Sequence, residues 1–480
     1  MVVTAPLLSL VAGSDHRYNV YWHGSIVQDR PWRLVTANLR TIPMYLDFGN
    51  FRPLGRMVEW AIDTVAYLFG EVTHLPVQVG LRLTSALAAA VLTAAAVLLA
   101  EAVTGRGRMF AGPPARTIAL LPFAVGGSLT AAGWLSVTVL FGGLYFTTTA
   151  LVLAVAAWLC RGPRLAIPLV LAGAALAAFN EMAALAPPLA TVAVLARARV
   201  LGERPRLRPV LLLWLGFLPV FVPVRLLIFA ACRDGDCYQN SDLALGPGVL
   251  SALPNRLTAW LPPLQWGDAL RGAGPVSRVV LALALLACAL LAARLIAELP
   301  GLPGLDRRQA AGLAASGAAL LLLGALLGAA NAQGQANVAL GRWGFGWRDS
   351  GLTAAGAALV LAGLLALAAR AVWCRAALAA LVLTTAGTTA VNQAFTARAD
   401  RRPYAVVSAG IAAEVAQFDP SAAGQERRCA LLDRFDALFR KTPYSRFASG
   451  ELPGTHSTTE RMAATASMAT EQLYGRPFCR

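Results

Sequence analysis

Long apolar segments recur along this chain, and most of them are long enough to cross a lipid bilayer. A helix rises about 1.5 Å per residue, so about 20 apolar residues cover the hydrocarbon layer of a membrane. The sequence predicts an all-α polytopic membrane protein of about eleven spans. The predicted spans are 2–13, 78–103, 117–135, 138–160, 165–179, 182–197, 209–230, 278–298, 310–330, 351–369 and 376–394.

Composition excludes an ordinary soluble protein. Only 14% of the residues are charged, 57% are hydrophobic and the mean hydropathy is +0.59, whereas soluble domains carry about 25% charged residues. The N-terminal segment 2–13 is short for a transmembrane helix. A cleaved signal peptide is the alternative, but the segment lacks a basic start and a clear small-residue cleavage site.

Arginines in short loops predict how the chain is oriented. The formal net charge is +16, which raises the possibility of nucleic-acid binding. The arginines instead cluster in every second loop, as expected of cytoplasmic loops. These arginines are Arg106, Arg108, Arg116, Arg161, Arg164, Arg197, Arg199, Arg204, Arg206, Arg208, Arg307, Arg308, Arg370 and Arg375. We therefore predict a multi-pass protein of the cell membrane with a cytoplasmic N-terminus and no nucleic-acid partner. Residues 14–77, 231–277, 331–350 and the tail from 395 lie outside.

Four cysteines fall in the predicted outer segments. Cys232 and Cys237 flank a four-residue stretch in one outer loop, and Cys429 and Cys479 lie in the tail. An oxidising compartment favours a disulfide within each pair. A zinc site is the alternative, but no histidine spacing accompanies these cysteines.

The first outer loop, 14–77, is large, polar and rich in aromatic residues. It begins "SDHRYNVYWHG", contains "NFRPLGR", and ends in "MVEWAIDTVAYLFG", which is amphipathic enough to lie along the membrane as a helix. This layout resembles that of GT-C membrane glycosyltransferases. The stretch from "NFRPLGR" into "VQVGLRLTSALAAAVL" is similar to the first loop of tetratricopeptide-containing O-mannosyltransferases and their bacterial relatives.

A second match to these families is "FNEMAALAPPLA", residues 179–190. A Lys-Glu pair is common there, and here Asn180 replaces the lysine while Glu181 remains. The acidic pair after the first span is reduced to Asp15 and His16. Arg82 stands where the families carry His-Asn. The two matches cover about a tenth of the chain.

The resemblance implies transfer of a sugar from a polyprenyl-phosphate donor to a glycan, lipid or protein acceptor on the outer face. Such a site must neutralise a phosphate and deprotonate a hydroxyl, and arginine binds phosphate with two hydrogen bonds. We expect Asp15 to be the base. The donor phosphate is assigned to Arg52, Arg342 and Arg348. The residues expected to line the site are His16, Arg17, Asp47, Glu181 and Trp343. No cofactor is implied, and a divalent metal is left open.

Structural explanations compete with several of these roles. Asp15 is also explained as a solvated charge beside the membrane, and Arg52 as an anchor paired with Asp47. Glu181 needs either an ion pair or a wet cavity, because an ionisable group is costly at the edge of a span. The "GRWGFGWRDSG" loop has the tryptophan content of an interfacial belt. A metal site from His16, His23 and His74 has no supporting carboxylate-histidine spacing.

The chain divides into a membrane domain, 1–394, and a small outer domain, 395–480, which either recognises acceptor or packs over the membrane domain. A transporter of lipid-linked sugars is the second functional hypothesis, although it calls for ionisable groups near the middle of the bilayer. A non-catalytic envelope assembly factor is the third. Phosphate-binding Walker loops, GxSxG and HExxH motifs are not found in the sequence.

Overall fold

Helices account for all the named secondary-structure elements in the computed structural model. The structure describes residues 2–13, 15–105, 114–129, 133, 136–139, 141–233, 243–264, 266, 274–341, 348–368, 370–439 and 457–480. One isolated antiparallel bridge joins Leu243 to Asn331. The prediction of an all-α protein is confirmed for these residues.

Nineteen α-helices are named here in chain order. They are α1 (His16–Val27), α2 (Arg33–Arg40), α3 (Ile42–Asp47), α4 (Pro53–Thr73), α5 (Val77–Val103), α6 (Leu121–Leu129), α7 (Gly142–Cys160), α8 (Ala166–Ala177), α9 (Ala186–Leu201), α10 (Leu207–Ala231), α11 (Pro247–Thr258), α12 (Pro275–Glu298), α13 (Arg307–Ala329), α14 (Ala332–Ala339), α15 (Ser350–Leu367), α16 (Ala371–Ala399), α17 (Pro403–Ala416), α18 (Ala422–Phe439) and α19 (Thr458–Tyr474). Short 3₁₀-helices occupy Val2–Leu7, Ile118–Leu120 and Glu181–Leu185.

Eight helical segments in the described residues are long and apolar enough to cross a membrane. They are Val77–Val103, Gly142–Cys160, Glu181–Leu201, Leu207–Ala231, Pro275–Glu298, Arg307–Ala329, Ser350–Leu367 and Ala371–Ala399. Two other predicted spans, 2–13 and 165–179, form only short helices in the structure, and a third is only partly described. The segment predicted at 165–179 is the 12-residue helix α8. The segment at 117–135 contains the apolar helix Ile118–Gly127, and part of it lies outside the described residues.

The N-terminal apolar segment is tucked into the bundle. Asn392 of α16 donates to the Val3 carbonyl at 2.8 Å, and Leu7 and Leu10 are buried against α16 residues. Arg82 of α5 donates to the carbonyls of Leu10 and Val11. These contacts satisfy backbone groups that a short, incomplete helix leaves open. The structure therefore gives residues 2–13 a packed position.

Small residues allow the central helices to approach closely. Helices α5 and α7 pack along each other, as do α13 and α15. A Cβ atom at Gly356 of α15 would lie 2.5 Å from the Leu321 nitrogen of α13, so only glycine fits this crossing. Close packing through small residues is the usual basis of helix association in lipid, where the apolar surroundings provide no hydrophobic driving force. Helices α7 and α15 lie at the centre, whereas α10 and α12 expose most of their apolar residues.

The first-loop helices form a layer with the C-terminal helices. Helix α1 lies between α4 and α19. Arg461 of α19 is fully buried, donates to Asn19 Oδ1 at 3.2 Å, and lies over the rings of Tyr18 and Trp22. The tail therefore packs over the first loop, which is the structural role weighed against acceptor recognition in the sequence.

The disulfide predicted in the tail is present. Cys429 and Cys479 are bonded, with a Cα–Cα distance of 5.1 Å. Cys232 is also disulfide-bonded, and its predicted partner Cys237 lies outside the described residues. The three remaining cysteines, Cys160, Cys288 and Cys374, are free and buried.

Candidate functional site

The two sequence motifs that carry the family resemblance are bonded to each other. Helix α4 begins at Pro53, whose fixed φ suits the first helical position. The Leu54 and Gly55 amides donate to the Ala178 and Phe179 carbonyls at 3.0 and 3.1 Å. Backbone groups of a helix start, which have no partner inside their own helix, thus bind the end of α8. A Cβ atom at Gly55 would collide with the Phe179 carbonyl oxygen, so glycine is required here. We call this contact between the start of α4 and the end of α8 the Gly55 joint.

The joint brings charged side chains from distant parts of the chain together. Arg52 lies 3.7 Å from Glu59 of α4, and Glu181 lies 3.6 Å from Arg225 of α10. Arg52 and Arg348 both interact electrostatically with Glu181. We call Arg52, Arg56, Glu59, Glu181, Arg225 and Arg348 the arginine–glutamate cluster. The cluster lies at one end of the candidate spans, because Glu181 begins one of them and Arg348 precedes another.

Positive charge exceeds negative charge in this cluster, with four guanidinium groups and two carboxylates. Burial and the neighbouring Arg52 lower the pKa of the Arg56 guanidinium well below its ordinary value. Arg56 is stacked on the Tyr45 ring. Within the described part of the chain, Arg56 Nη2 is buried without a hydrogen-bond partner. Buried polar atoms are nearly always bonded in proteins, so this buried donor suits an anionic ligand.

A second buried cluster lies further along α4. Asp63 is fully buried and its two carboxylate oxygens face two imidazoles: His16 Nδ1 at 3.1 Å and His23 Nδ1 at 2.7 Å. The His23 ring is stacked on Trp60 with centroids 4.3 Å apart. We call His16, Asp63 and His23 the His–Asp–His cluster. Because each Nδ1 faces Asp63, the ring orientation of both histidines is fixed.

Burial and charge act in opposite directions on these three groups. Burial disfavours the Asp63 carboxylate, but His16 and His23 together more than offset this and lower the pKa of the carboxyl. Burial alone would lower the pKa of His16, yet Asp63 raises it above the ordinary value. The pKa of His23 is lowered because burial dominates there, despite its shorter contact. These shifts favour the charged forms of His16 and Asp63 and the neutral form of His23.

Asp15 and His16 lie together at the start of α1. Asp15 is exposed, and the Tyr18 hydroxyl donates to its carboxylate at 2.5 Å. His16 lines a small pocket of about 10 Å³, roughly one water, together with Glu59, Arg82 and Ser85. Glu59 therefore belongs to the arginine–glutamate cluster and to the pocket beside His16. The two clusters are neighbours on the same helix.

The other predicted site residues occupy different positions. Asp47 is exposed at the end of α3, and Arg52 forms an ion pair with Glu59. Arg17 lies over the Phe439 ring of α18, 4.8 Å from its centroid, and so faces the C-terminal helices. Arg348 lies over the Tyr145 ring. Arg342 and Trp343 are outside the described residues.

Asp63, Glu59 and Arg225 were not predicted as site residues. A signal for the first two exists, because residues 52, 56, 59 and 63 are spaced by four, three and four and so share one helix face. This charged face is buried against the protein, while Val65, Leu68 and Val72 on the other side are exposed. The predicted surface helix is thus amphipathic, with its charged face inward. Arg225, by contrast, is brought to Glu181 by the packing of distant helices.

Among the described residues, no three or more histidine, cysteine, aspartate or glutamate side chains are arranged to hold a metal ion. Comparisons of the chain with protein-family models, curated proteins and solved structures give no match. The chemistry of the arginine–glutamate and His–Asp–His clusters is therefore the basis for a functional proposal.

Proposed function

We propose that this chain is a membrane glycosyltransferase of GT-C type, which moves a sugar from a polyprenyl-phosphate donor to an acceptor on the outer face. One observation carries the proposal: the "FRPLG" and "FNE" motifs are joined by backbone hydrogen bonds and gather four arginines at one end of the spans. The phosphate of a lipid-linked donor lies at the membrane surface, where spans end.

The cluster suits the donor phosphate because it gathers four guanidinium groups and only two carboxylates. Arginine keeps its charge and forms paired hydrogen bonds with phosphate oxygens. Arg52 and Arg348 keep their proposed role, and Arg225 joins them through Glu181. Arg342 remains a proposed phosphate ligand from the sequence alone.

The reaction is a single displacement. The acceptor hydroxyl oxygen attacks the sugar carbon, the bond from that carbon to the phosphate oxygen breaks, and its electron pair leaves with the polyprenyl phosphate. The base takes the hydroxyl proton. A general base contributes about 10² to 10⁴ in rate, and arginines stabilise the charge that develops on the leaving phosphate.

We propose Asp15 as the general base, and His16 is the alternative base. Asp15 is exposed at the start of α1, whereas His16 lines a pocket and is oriented by Asp63. The pH dependence of the rate separates them. A carboxylate base gives a flat rate across neutral pH, while a His16 base gives a rate that rises through a pKa raised above that of free histidine.

Complementation tests the proposed function. Deletion of the chain should remove a sugar from an envelope glycan, as measured by mass spectrometry, and the wild-type chain should restore it. Arg52→Lys should fail to restore it, because an ammonium group cannot replace a two-pronged phosphate contact. Arg40→Lys, an exposed arginine of α2, is the matched control and should restore the glycan. An unchanged glycan after deletion would contradict the proposal.

A further inference from the structure

A basic cavity lies at the opposite end of the bundle from the arginine–glutamate cluster. Helices α7 and α9 end beside it, at Cys160 and Leu201. Its volume is about 120 Å³. The charged residues that line it are Arg161, Arg197, Glu203, Arg204 and Arg206. None of them belongs to the proposed donor site.

Positive charge in this cavity is only partly neutralised within the protein. Four guanidinium groups face one carboxylate, and the carbonyl ends of α7 and α9 each add about half a negative charge. About two positive charges remain by this count. A single phosphate group carries one to two negative charges, so the excess matches one such group.

The local structure holds these arginines around the cavity. Arg197 donates to the Ala102 carbonyl at the end of α5. Gly162 has a left-handed φ of 68°, which turns the chain directly after α7. A Cβ atom at Gly162 would lie 3.3 Å from Arg206 Nη1. The turn and the start of α10 are thus packed together, which brings two separate arginine-bearing loops to one cavity.

Membrane orientation explains arginines in these loops, but it does not explain their convergence. Arg164, Arg199 and Arg208 are two or three residues along the chain from lining arginines and do not line the cavity. The positive-inside tendency depends on the number of charges near a span and not on which arginines share a cavity. The two sets therefore provide a direct comparison between loop charge and cavity charge.

We propose that this cavity binds a phosphate group, carried either by an anionic lipid at headgroup depth or by a soluble phosphate compound. The cavity lies where candidate spans end and begin, since Cys160 and Leu201 end two of them and Leu207 begins a third. Guanidinium groups at that level can reach a lipid phosphate from the side. Binding here is independent of the proposed sugar transfer.

Native mass spectrometry and thermal unfolding of the purified full chain test the proposal. The probes are phosphatidylglycerol, phosphatidylcholine as the lipid of no net charge, and inorganic phosphate. We expect phosphatidylglycerol or inorganic phosphate to bind and to raise the melting temperature of the wild-type chain. Saturation by phosphatidylglycerol alone identifies a lipid headgroup, and saturation by inorganic phosphate identifies a soluble ligand. Failure of both probes to bind would overturn the proposal.

The cavity variant combines Arg161→Gln, Arg197→Gln and Arg206→Gln. Binding of the effective probe should weaken by about tenfold or more for each lost contact, because hydrogen bonds to charged groups are worth about that factor. Arg206→Gln alone, at an exposed position, serves if the triple variant does not fold, and it should also weaken binding about tenfold.

The matched control combines Arg164→Gln, Arg199→Gln and Arg208→Gln. It removes the same charge from neighbouring positions in the sequence and should keep wild-type affinity. Equal losses in the two triple variants would assign binding to diffuse loop charge and overturn the cavity site. Unchanged binding in the cavity variant would overturn it as well.

Discussion

Replacement of Gly55 by alanine tests the joint between the two motifs. The added methyl group would collide with the Phe179 carbonyl, and relief of the collision would pull the Gly55 amide away from the same oxygen. Overpacking costs about 1–3 kcal/mol, and the lost hydrogen bond costs about 0.5–1.5 kcal/mol. Alanine recovers up to about 1 kcal/mol of helix propensity. We therefore expect a net destabilisation of about 0.5–4.5 kcal/mol.

Thermal unfolding in detergent measures that loss, which should lower the melting temperature by a few degrees. Arg52 precedes Pro53 at the same joint, so its distance from Glu181 should change as well. A displacement of about 1 Å at a reacting centre costs about 10²-fold in rate. We expect donor turnover by Gly55→Ala to fall by roughly that factor.

Gly126→Ala is the matched control for this prediction. Gly126 lies in helix α6, and an added Cβ atom there would have nothing within 4 Å among the described atoms. This variant should keep or slightly raise the melting temperature and keep full activity. A Gly55→Ala chain with wild-type melting temperature and turnover would refute the idea that the joint positions the arginines.

Two further predictions concern pH and the tail. The pKa of His16 is raised in the fold, so its contribution to stability is present below about pH 6.5 and is lost as pH rises through the folded-state pKa. The pKa of His23 is lowered, so its contribution is present above about pH 6.5 and is lost as pH falls. When the melting temperature is measured against pH, His16→Gln should therefore reduce its change on the alkaline side, and His23→Gln should reduce its change on the acid side. Identical pH profiles for the two variants would contradict the assignment. Cys429→Ser opens a disulfide between residues separated by 50 positions and should lower stability by about 2–4 kcal/mol, which exposes the tail to limited proteolysis. Cys288→Ser removes a free cysteine and should leave the tail protected. A protease-resistant tail in Cys429→Ser would refute the idea that the disulfide stabilises it.

Hydropathy predicted the long helices well because the bilayer fixes their length. Eight predicted spans correspond to helices that can cross a membrane. Hydropathy is less informative for residues 2–13 and 165–179, which are apolar but short. Their burial depends on contacts with other helices, such as the Asn392 bond to Val3, and such contacts leave no local pattern in the sequence.

The site was only partly predictable for a similar reason. Family resemblance indicated Arg52 and Glu181, which the fold brings together through the Gly55 joint. The periodicity of α4 shows that Glu59 and Asp63 share a face, but it does not show that this face is buried. In water a charged helix face usually points outward. Here the apolar face is exposed and the charged face packs inward against α1 and the end of α8.

Arg225 shows what spacing alone does not reveal. It lies within a strongly apolar helix, from which long side chains commonly extend to a span end. Its partner Glu181 belongs to a different span, and their 3.6 Å contact depends on how α9 and α10 pack. A tertiary contact of this kind cannot be obtained from hydropathy or from charge counts.

Donor consumption by the purified chain tests the central claim most directly. The chain would be reconstituted in liposomes with a panel of polyprenyl-phosphate-linked hexoses and pentoses and an envelope extract as acceptor, and free polyprenyl phosphate would be measured by mass spectrometry. We predict release of polyprenyl phosphate from at least one donor by the wild-type chain, and a rate lower by about 10² to 10⁴ for Asp15→Asn. Wild-type chain that consumes no donor, yet moves an intact lipid-linked sugar across the bilayer, would contradict glycosyl transfer and support a transporter.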